Sequence, residues 1–289
     1  MTWASATDGV QIHYETLGRA DAPPVLFIQG LGADKNLWNM QRFWFARNYR
    51  VIAHDNRGAG RSDRPFGDYT LEQMADDAIS VLDHAGIDTA HVVGASMGGA
   101  ITQVLGVLHP DRIRSLTLAC TSCSNHPWRV DLLSEWAEVA QRDGMGAMSK
   151  HAARWMIGPR SLRRLSPAMS IIGTIARSNE SHGFMGQVKA ILSADETLTH
   201  RLGEITAPTC VIVGGQDVLT PRGDSEEIAD RIATAELNVL SGAAHGLMIE
   251  HATTFNRVLG DFLGRAEKTW QSTSAGTNPR HLRVVRDVS

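Results

Sequence analysis

The chain has 289 residues, 43% of them hydrophobic and 20% charged, with a formal net charge of −3. That length allows one large core with an inserted subdomain, and slight acidity without a Lys/Arg-rich stripe argues against a nucleic-acid partner. Three cysteines make no disulfide framework, no apolar run reaches bilayer length, and Met1 to Asp8 lacks a signal peptide's basic and apolar regions, so a cytoplasmic setting is expected.

Along the chain, strand-like apolar runs alternate with helical patterns, which predicts βαβ units and a mainly parallel sheet flanked by helices. Gln11 to Leu17 alternates polar and apolar residues and fits an N-terminal hairpin. Pro24 to Ile28 (PVLFI), Arg50 to Ala53 (RVIA), His91 to Val93, Ile113 to Ala119 (IRSLTLA) and Cys210 to Val213 (CVIV) read as buried strands, with Ala235 to Leu240 as an edge strand. Thr70 to Ala85 is the clearest helix. Thr70 and Gln73 form a capping box, the apolar residues from Leu71 to Leu82 share a face, and Gly86 stands where a helix end takes glycine. Thr220-Pro221 predicts another helix start, with a hydroxyl cap ahead of a first-turn proline. Between Thr121 and Glu204 strand signals vanish and short amphipathic helices take over. The chain therefore divides into a core of residues 1–120 and 205–264, a helical cap of residues 121–204, and a polar tail of residues 265–289 where disorder or a loose extension is expected.

Gly94-Ala95-Ser96-Met97-Gly98 lies between the strand ending at Val93 and the helical run from Gly99 to His109. A serine between glycines at such a corner is a nucleophile elbow, which lifts the hydroxyl above the sheet edge. A hydroxyl attacks only if a base takes its proton. Among twelve histidines, His245 is the leading candidate, in a small-residue loop directly after the last strand signal. His54 reads as a satisfied structural histidine and His251 as the opening of the final helix. Asp217, in the loop after CVIV, is the carboxylate candidate to orient that imidazole. Asp55 is its rival, in a segment that reads as a turn held by side-chain-to-backbone bonds. An oxyanion formed at Ser96 needs two backbone N–H donors. Met97 and, from the glycine-rich loop Gln29-Gly30-Leu31-Gly32, Leu31 are the candidates. Cys120 and Cys123 form a lone C-x-x-C without zinc-ligand spacing and read as structural. No metal or organic cofactor is called for.

These residues together resemble the α/β-hydrolase superfamily over roughly Asp8 to Leu263. Further matching pieces are Asp55-Asn56-Arg57-Gly58 with Gly60 and Ser62-Asp63, the Ser96-Met97-Gly98-Gly99 form of the elbow, and Gly215-Gln216-Asp217 with Thr220-Pro221. The chain is similar to the branch of small carboxylesterases, oxoadipate enol-lactonases and cofactor-free perhydrolases. The segment from Trp128 to Trp155, with Gly144 and Arg154, resembles the enol-lactonases in particular. The resemblance implies an α/β-hydrolase fold with an inserted helical cap, and a serine hydrolase cleaving a carboxylic ester through Ser96, His245 and Asp217. Serine rather than aspartate at the elbow separates the chain from haloalkane dehalogenases and epoxide hydrolases. Where the family usually carries His-Gly this chain has Gln29-Gly30, and because the donor is a backbone amide the oxyanion hole is expected to survive. A lactonase, a C–C bond hydrolase and a small-molecule receptor on the same fold are the alternatives.

Trp128, Trp136, Met145, Met148, Trp155, Met156, Met169, Phe184 and Met185 make the cap rich in adaptable apolar groups. Trp38, Trp128, Trp155 and Met156 are the candidate lining for a hydrophobic ester, although helical periodicity also explains most such residues as glue between helices. A dicarboxylate lactone calls for a cation, and Arg129, Arg154, Arg160, Arg163 and Arg164 are the candidates. The expected partner is a small-molecule ester or lactone, with neither membrane nor nucleic acid.

Overall fold

The computed structural model describes residues 2–158, 180–194, 196–274 and 285–288. The strands are β1 (Thr2–Ser5), β2 (Gln11–Leu17), β3 (Pro24–Ile28), β4 (Arg50–His54), β5 (Ala90–Ala95), β6 (Ile113–Ala119), β7 (Thr209–Gly214), β8 (Ala235–Leu240) and β9 (Val285–Val288). Among the described residues the helices are α1 (Asn39–Phe45), α2 (Leu71–His84), α3 (Met97–Leu108), α4 (Pro127–Asp143), α5 (Met145–Met156), α6 (Ser181–Leu192), α7 (Glu196–Arg201), α8 (Arg222–Arg231), α9 (Leu247–Glu250) and α10 (Ala252–Ser274). All the strands belong to one sheet in the order β1-β2-β4-β3-β5-β6-β7-β8-β9. β1 pairs antiparallel with β2 and β2 with β4, while the pairings from β4 onward are parallel.

Parallel strands need crossovers that cover both sheet faces, so their sequences read as continuous apolar runs. PVLFI is buried throughout, with Leu26 and Ile28 in one core and Val25 and Phe27 in the other. The first core is closed by residues of α2, α3 and α8, the second by α1 and α10. α2 has both expected ends. Thr70 Oγ1 accepts from Gln73 N at 3.1 Å while Gln73 Oε1 accepts from Thr70 N at 3.0 Å. At the other end Gly86 N donates to Asp83 O and Ile87 N to Leu82 O, closing the helix as a Schellman motif.

Three expectations change. α8 starts at Arg222 with no side-chain cap, because the Thr220 hydroxyl is used elsewhere. β8 is interior, since β9 pairs beyond it. The last helix continues past residue 265 to Ser274. Glu267 holds this extension to the core, accepting from His91 Nε2 at 3.0 Å and from Arg114 at 3.2 Å. The Arg114 guanidinium in turn lies over the Trp270 ring. Residues 275–284 and 289 of the expected tail lie outside the described residues. Between β6 and β7, α4 to α6 share an apolar cluster of their own. No described helix is long and apolar enough to cross a membrane.

Candidate active site

Ser96 joins β5 to α3 with φ 55° and ψ −121°, a backbone conformation that costs a non-glycine residue about 1–3 kcal/mol. The surroundings hold it there. Ser96 N donates to Ala119 O at 2.9 Å, and Ser96 O accepts from Gly99 N and from the Thr121 hydroxyl, each at 2.8 Å. Strand and helix pass so close that a Cβ on Gly94 would lie 2.1 Å from Gly98 O, and one on Gly98 2.3 Å from Ile28 O. Both positions therefore exclude any larger residue.

Asp217 and His245 follow β7 and β8, whose last residues Gly214 and Leu240 pair with each other, while the last residue of β6, Ala119, pairs with Ile212. Their loops are laced together: Gly215 N donates to Leu240 O at 2.9 Å and Gln216 N to Ala243 O at 2.8 Å. His245 Nδ1 lies 2.9 Å from Asp217 Oδ2, both side chains being buried. A carboxylate oxygen only accepts, so Nδ1 carries the proton and Nε2 presents its lone pair. Nε2 is buried and has no hydrogen-bond partner among the described residues. Asp217 also accepts from Leu219 N, Thr220 N and the Thr220 hydroxyl, each at 2.9 Å. Burial opposes its ionisation, but the adjacent His245 imidazole and these hydrogen bonds prevail and hold the carboxyl below its usual range.

The loop after β3 carries the other candidate donor. Gly30 N donates to Gln29 Oε1 at 2.8 Å, Gly32 N to Gln187 Oε1 at 2.8 Å, and Ala33 N to Gly30 O at 3.3 Å. Leu31 N, between them, meets no acceptor among the described residues, and neither does Met97 N in the first turn of α3. A Cβ placed on Gly30 would sit 3.6 Å from Ser96 Oγ, so this loop lies against the serine.

The helical insert is fastened to the His245 loop. Ala244 N donates to Glu250 Oε1 at 3.0 Å, Gly158 N to Glu250 Oε2 at 3.1 Å, and Gly246 N to Met156 O at 2.6 Å. Leu219, beside Asp217, is buried in the insert's cluster with Trp136, Met145, Met148 and Phe184, while Leu31, Trp155 and Met156 pack against it half-buried. Trp128 is 40% exposed and stacks on Trp155 at 6.3 Å, on the outer side. Trp38 is a correction. It is fully buried in the second core, 5.1 Å from the Phe27 ring and 6.0 Å from Phe255, because the short helical turn before α1 points it beneath α10. Met169, Arg160, Arg163 and Arg164 lie outside the described residues.

The rival residues are occupied elsewhere. His54 pairs with Asn56 Oδ1 at 3.0 Å, and burial takes its pKa down to about 4. Asp55 engages His13 and Lys35 instead. The three cysteines are free thiols, with Cys120 pushed well up by burial and Cys123 pushed up to about 12, so neither is a reactive thiolate. Sequence reasoning missed Thr121, Thr220, Gln187 and Glu250. Only Thr220 had a local signal, and it pointed to a helix cap.

A doubly covered parallel sheet with a strained serine at its carboxyl edge is the architecture of an α/β hydrolase. Residues 23–154 match the family described as the alpha/beta hydrolase fold. A solved hydrolase from Pseudomonas aeruginosa PA01 is 31% identical, with a TM-score of 0.85 over 91% of this chain and 98% of that one. The enol-lactonase from Burkholderia xenovorans LB400 is 28% identical, with a TM-score of 0.86 over 91% of this chain and 100% of its own. Among curated proteins, 3-oxoadipate enol-lactonase 2 of Acinetobacter baylyi is 28% identical over 86% of this chain and 92% of its own length. The chain belongs to the α/β-hydrolase superfamily, and its relatives support a hydrolase acting on a small molecule.

Proposed function

We propose that the protein is a serine hydrolase that cleaves a small to medium hydrophobic carboxylic ester. The observation that carries the reading is the strained Ser96 at the sheet edge that also bears the Asp217–His245 pair with its unpartnered Nε2. In this mechanism Ser96 Oγ attacks the ester carbonyl as its proton passes to His245 Nε2. Asp217 stabilises the resulting imidazolium, and the Leu31 and Met97 amides hold the oxyanion, each worth about 10²–10³ in rate. The C–O bond then breaks and His245 returns the proton to the leaving alcohol. A water molecule attacks the acyl-enzyme with His245 again as base, releasing the acid and restoring Ser96.

The described helices α4 to α6 act as a cap over this edge. Their apolar cluster, reaching both Leu31 and Leu219, supports an apolar acyl or alcohol group. A second reading is favoured by the enol-lactonase relatives: the same steps on a lactone, with the ring-opened hydroxyl as leaving group. Arg129 is committed to Asp224, Leu219 O and Ser124 O, and Arg154 is exposed over Trp155. Of the candidate cations among the described residues, Arg129 is thus committed to structure, and the apolar cluster supports a neutral ester.

The test is turnover of p-nitrophenyl esters and simple lactones by the wild type beside Ser96→Ala. Ester turnover abolished in the variant is expected. Lactone-only turnover promotes the second reading. Absence of both, in a folded protein, overturns the ester reading in favour of a C–C bond hydrolase or a ligand receptor.

A further inference from the structure

Gln187, on α6, is fully buried although its side chain ends in a polar amide. Its Oε1 accepts from Gly32 N at 2.8 Å and its Nε2 donates to Arg57 O at 2.8 Å. The two partners fix the amide's orientation, since a main-chain N–H can only donate and a carbonyl only accept. Arg57 is itself immobilised, with its guanidinium bonded to both oxygens of Asp77 at 2.6 and 2.7 Å. α6 also rests directly on this part of the core: a Cβ added to Gly183 would lie 2.5 Å from Gly58 O. Gln187 is thus a rigid strut from the insert to the loop after β3.

That loop is pinned at nearly every peptide. Asn56 Nδ2 donates to Gln29 O at 2.7 Å, Gly30 N is taken by Gln29 Oε1, Ala33 N bonds Gly30 O, and Lys35 N donates to Asp55 Oδ1 at 2.9 Å. Gly32, with φ +66°, is the position where the chain turns most easily, and its N–H is the one held from the insert rather than from the core.

We propose that Gln187 is a positioning residue for the oxyanion hole: by taking the Gly32 N–H it fixes the loop so that the neighbouring Leu31 N–H faces Ser96. The proposal rests on the serine-hydrolase reading. It means that the insert sets the geometry of transition-state stabilisation as well as roofing the site. Without the strut the peptide between Leu31 and Gly32 rotates to find another acceptor and carries Leu31 with it. Displacement of a reacting geometry by about 1 Å costs on the order of 10² in rate.

The experiment compares the wild type with Gln187→Met, which keeps length and apolar packing but removes both hydrogen bonds. Steady-state kinetics on the best ester are expected to show kcat lower by about 10–100-fold with KM within about threefold, because an oxyanion contact acts on the transition state. A residue that merely docked α6 would raise KM and lower the melting temperature while leaving kcat in place. Hydrogen exchange at the Gly32 amide of the wild type is the second measurement. Strong protection is expected, and exchange as fast as that of an exposed amide overturns the strut even if the variant does not fold. Unchanged kcat in a folded Gln187→Met overturns this proposal alone, whereas absence of ester and lactone turnover in the wild type overturns the ester reading and this proposal with it.

Discussion

Two buried aspartate–histidine pairs stand at the carboxyl edge of the sheet and differ in what surrounds them. After β4, His13 Nδ1 lies 3.1 Å from Asp55 Oδ2; after β7, His245 Nδ1 lies 2.9 Å from Asp217 Oδ2. Each leaves a buried Nε2 without a hydrogen-bond partner among the described residues. Pair geometry alone therefore does not separate a structural pair from a candidate catalytic one. Asp55 draws its other donors from separated segments, Lys35 N at 2.9 Å, Lys35 Nζ at 3.3 Å and Arg61 N at 3.0 Å, so it bolts loops together. Burial first, and then the Lys35 charge, lower the pKa of His13. Asp217 takes its other bonds from its own turn, at Leu219 and Thr220, and among the described residues no lysine joins the pair. The added cation and the origin of the donors distinguish the two pairs.

The largest effect that can break this comparison is paired substitution. Asp217→Asn is expected to lower kcat about 10⁴-fold through the wrong imidazole tautomer while leaving the urea midpoint near wild type. Asp55→Asn is expected to do the reverse, costing about 1–3 kcal/mol by weakening the buried bonds to Lys35 and leaving that ammonium only the half-exposed Glu15 as carboxylate partner, with kcat within a few fold. Equal kinetic losses from both would erase the distinction. Thr220→Val, which keeps shape but removes the hydroxyl bonded to Asp217, is expected to reduce kcat about tenfold by loosening the pair, with KM as the control readout.

The smallest effect is a difference of pH window. The folded pKa values of His13 and His54 lie below the ordinary 6.5, that of His54 at about 4. The unfolded chain then takes up protons first, so the stability held at β4 is full above pH 6.5 and is lost as pH falls toward 4. Asp217 has a folded pKa below the ordinary 3.8, so its contribution persists down to that pH and disappears only beneath it. Denaturation midpoints followed from neutral to acid pH should fall first in the upper window. A flat midpoint down to pH 4 would remove the β4 half of the comparison.

Much of the site could be read from sequence because its signals are local. Gly94 and Gly98 encode a turn too tight for side chains, and the order Ser96, Asp217, His245 follows from three strand ends. Leu31 and Met97 were legible as candidate amides adjoining those turns, and the structure leaves both N–H groups without an acceptor among the described residues. Thr220 was misread because a hydroxyl before proline has two local uses, and only the packing of the β7 and β8 loops directs it to Asp217. Trp38 was misassigned because nearness in sequence to the oxyanion loop says nothing about which sheet face the ring takes. The extension of α10 beyond residue 265 depends on Glu267 meeting His91 and Arg114, partners that no periodicity reveals.

The parallel sheet, both ends of α2 and the strained serine corner could be read from local sequence, since each depends on backbone conformation and on residues a few positions apart. Tertiary structure decided where the long-range hydrogen bonds go. Gln187 reaches Gly32 across 155 residues and Arg57 across 130, and Glu250 joins the end of α5 to the His245 loop across 92. A buried polar side chain must find partners of fixed direction, and which partners lie within reach is settled only when the insert is seated on the sheet.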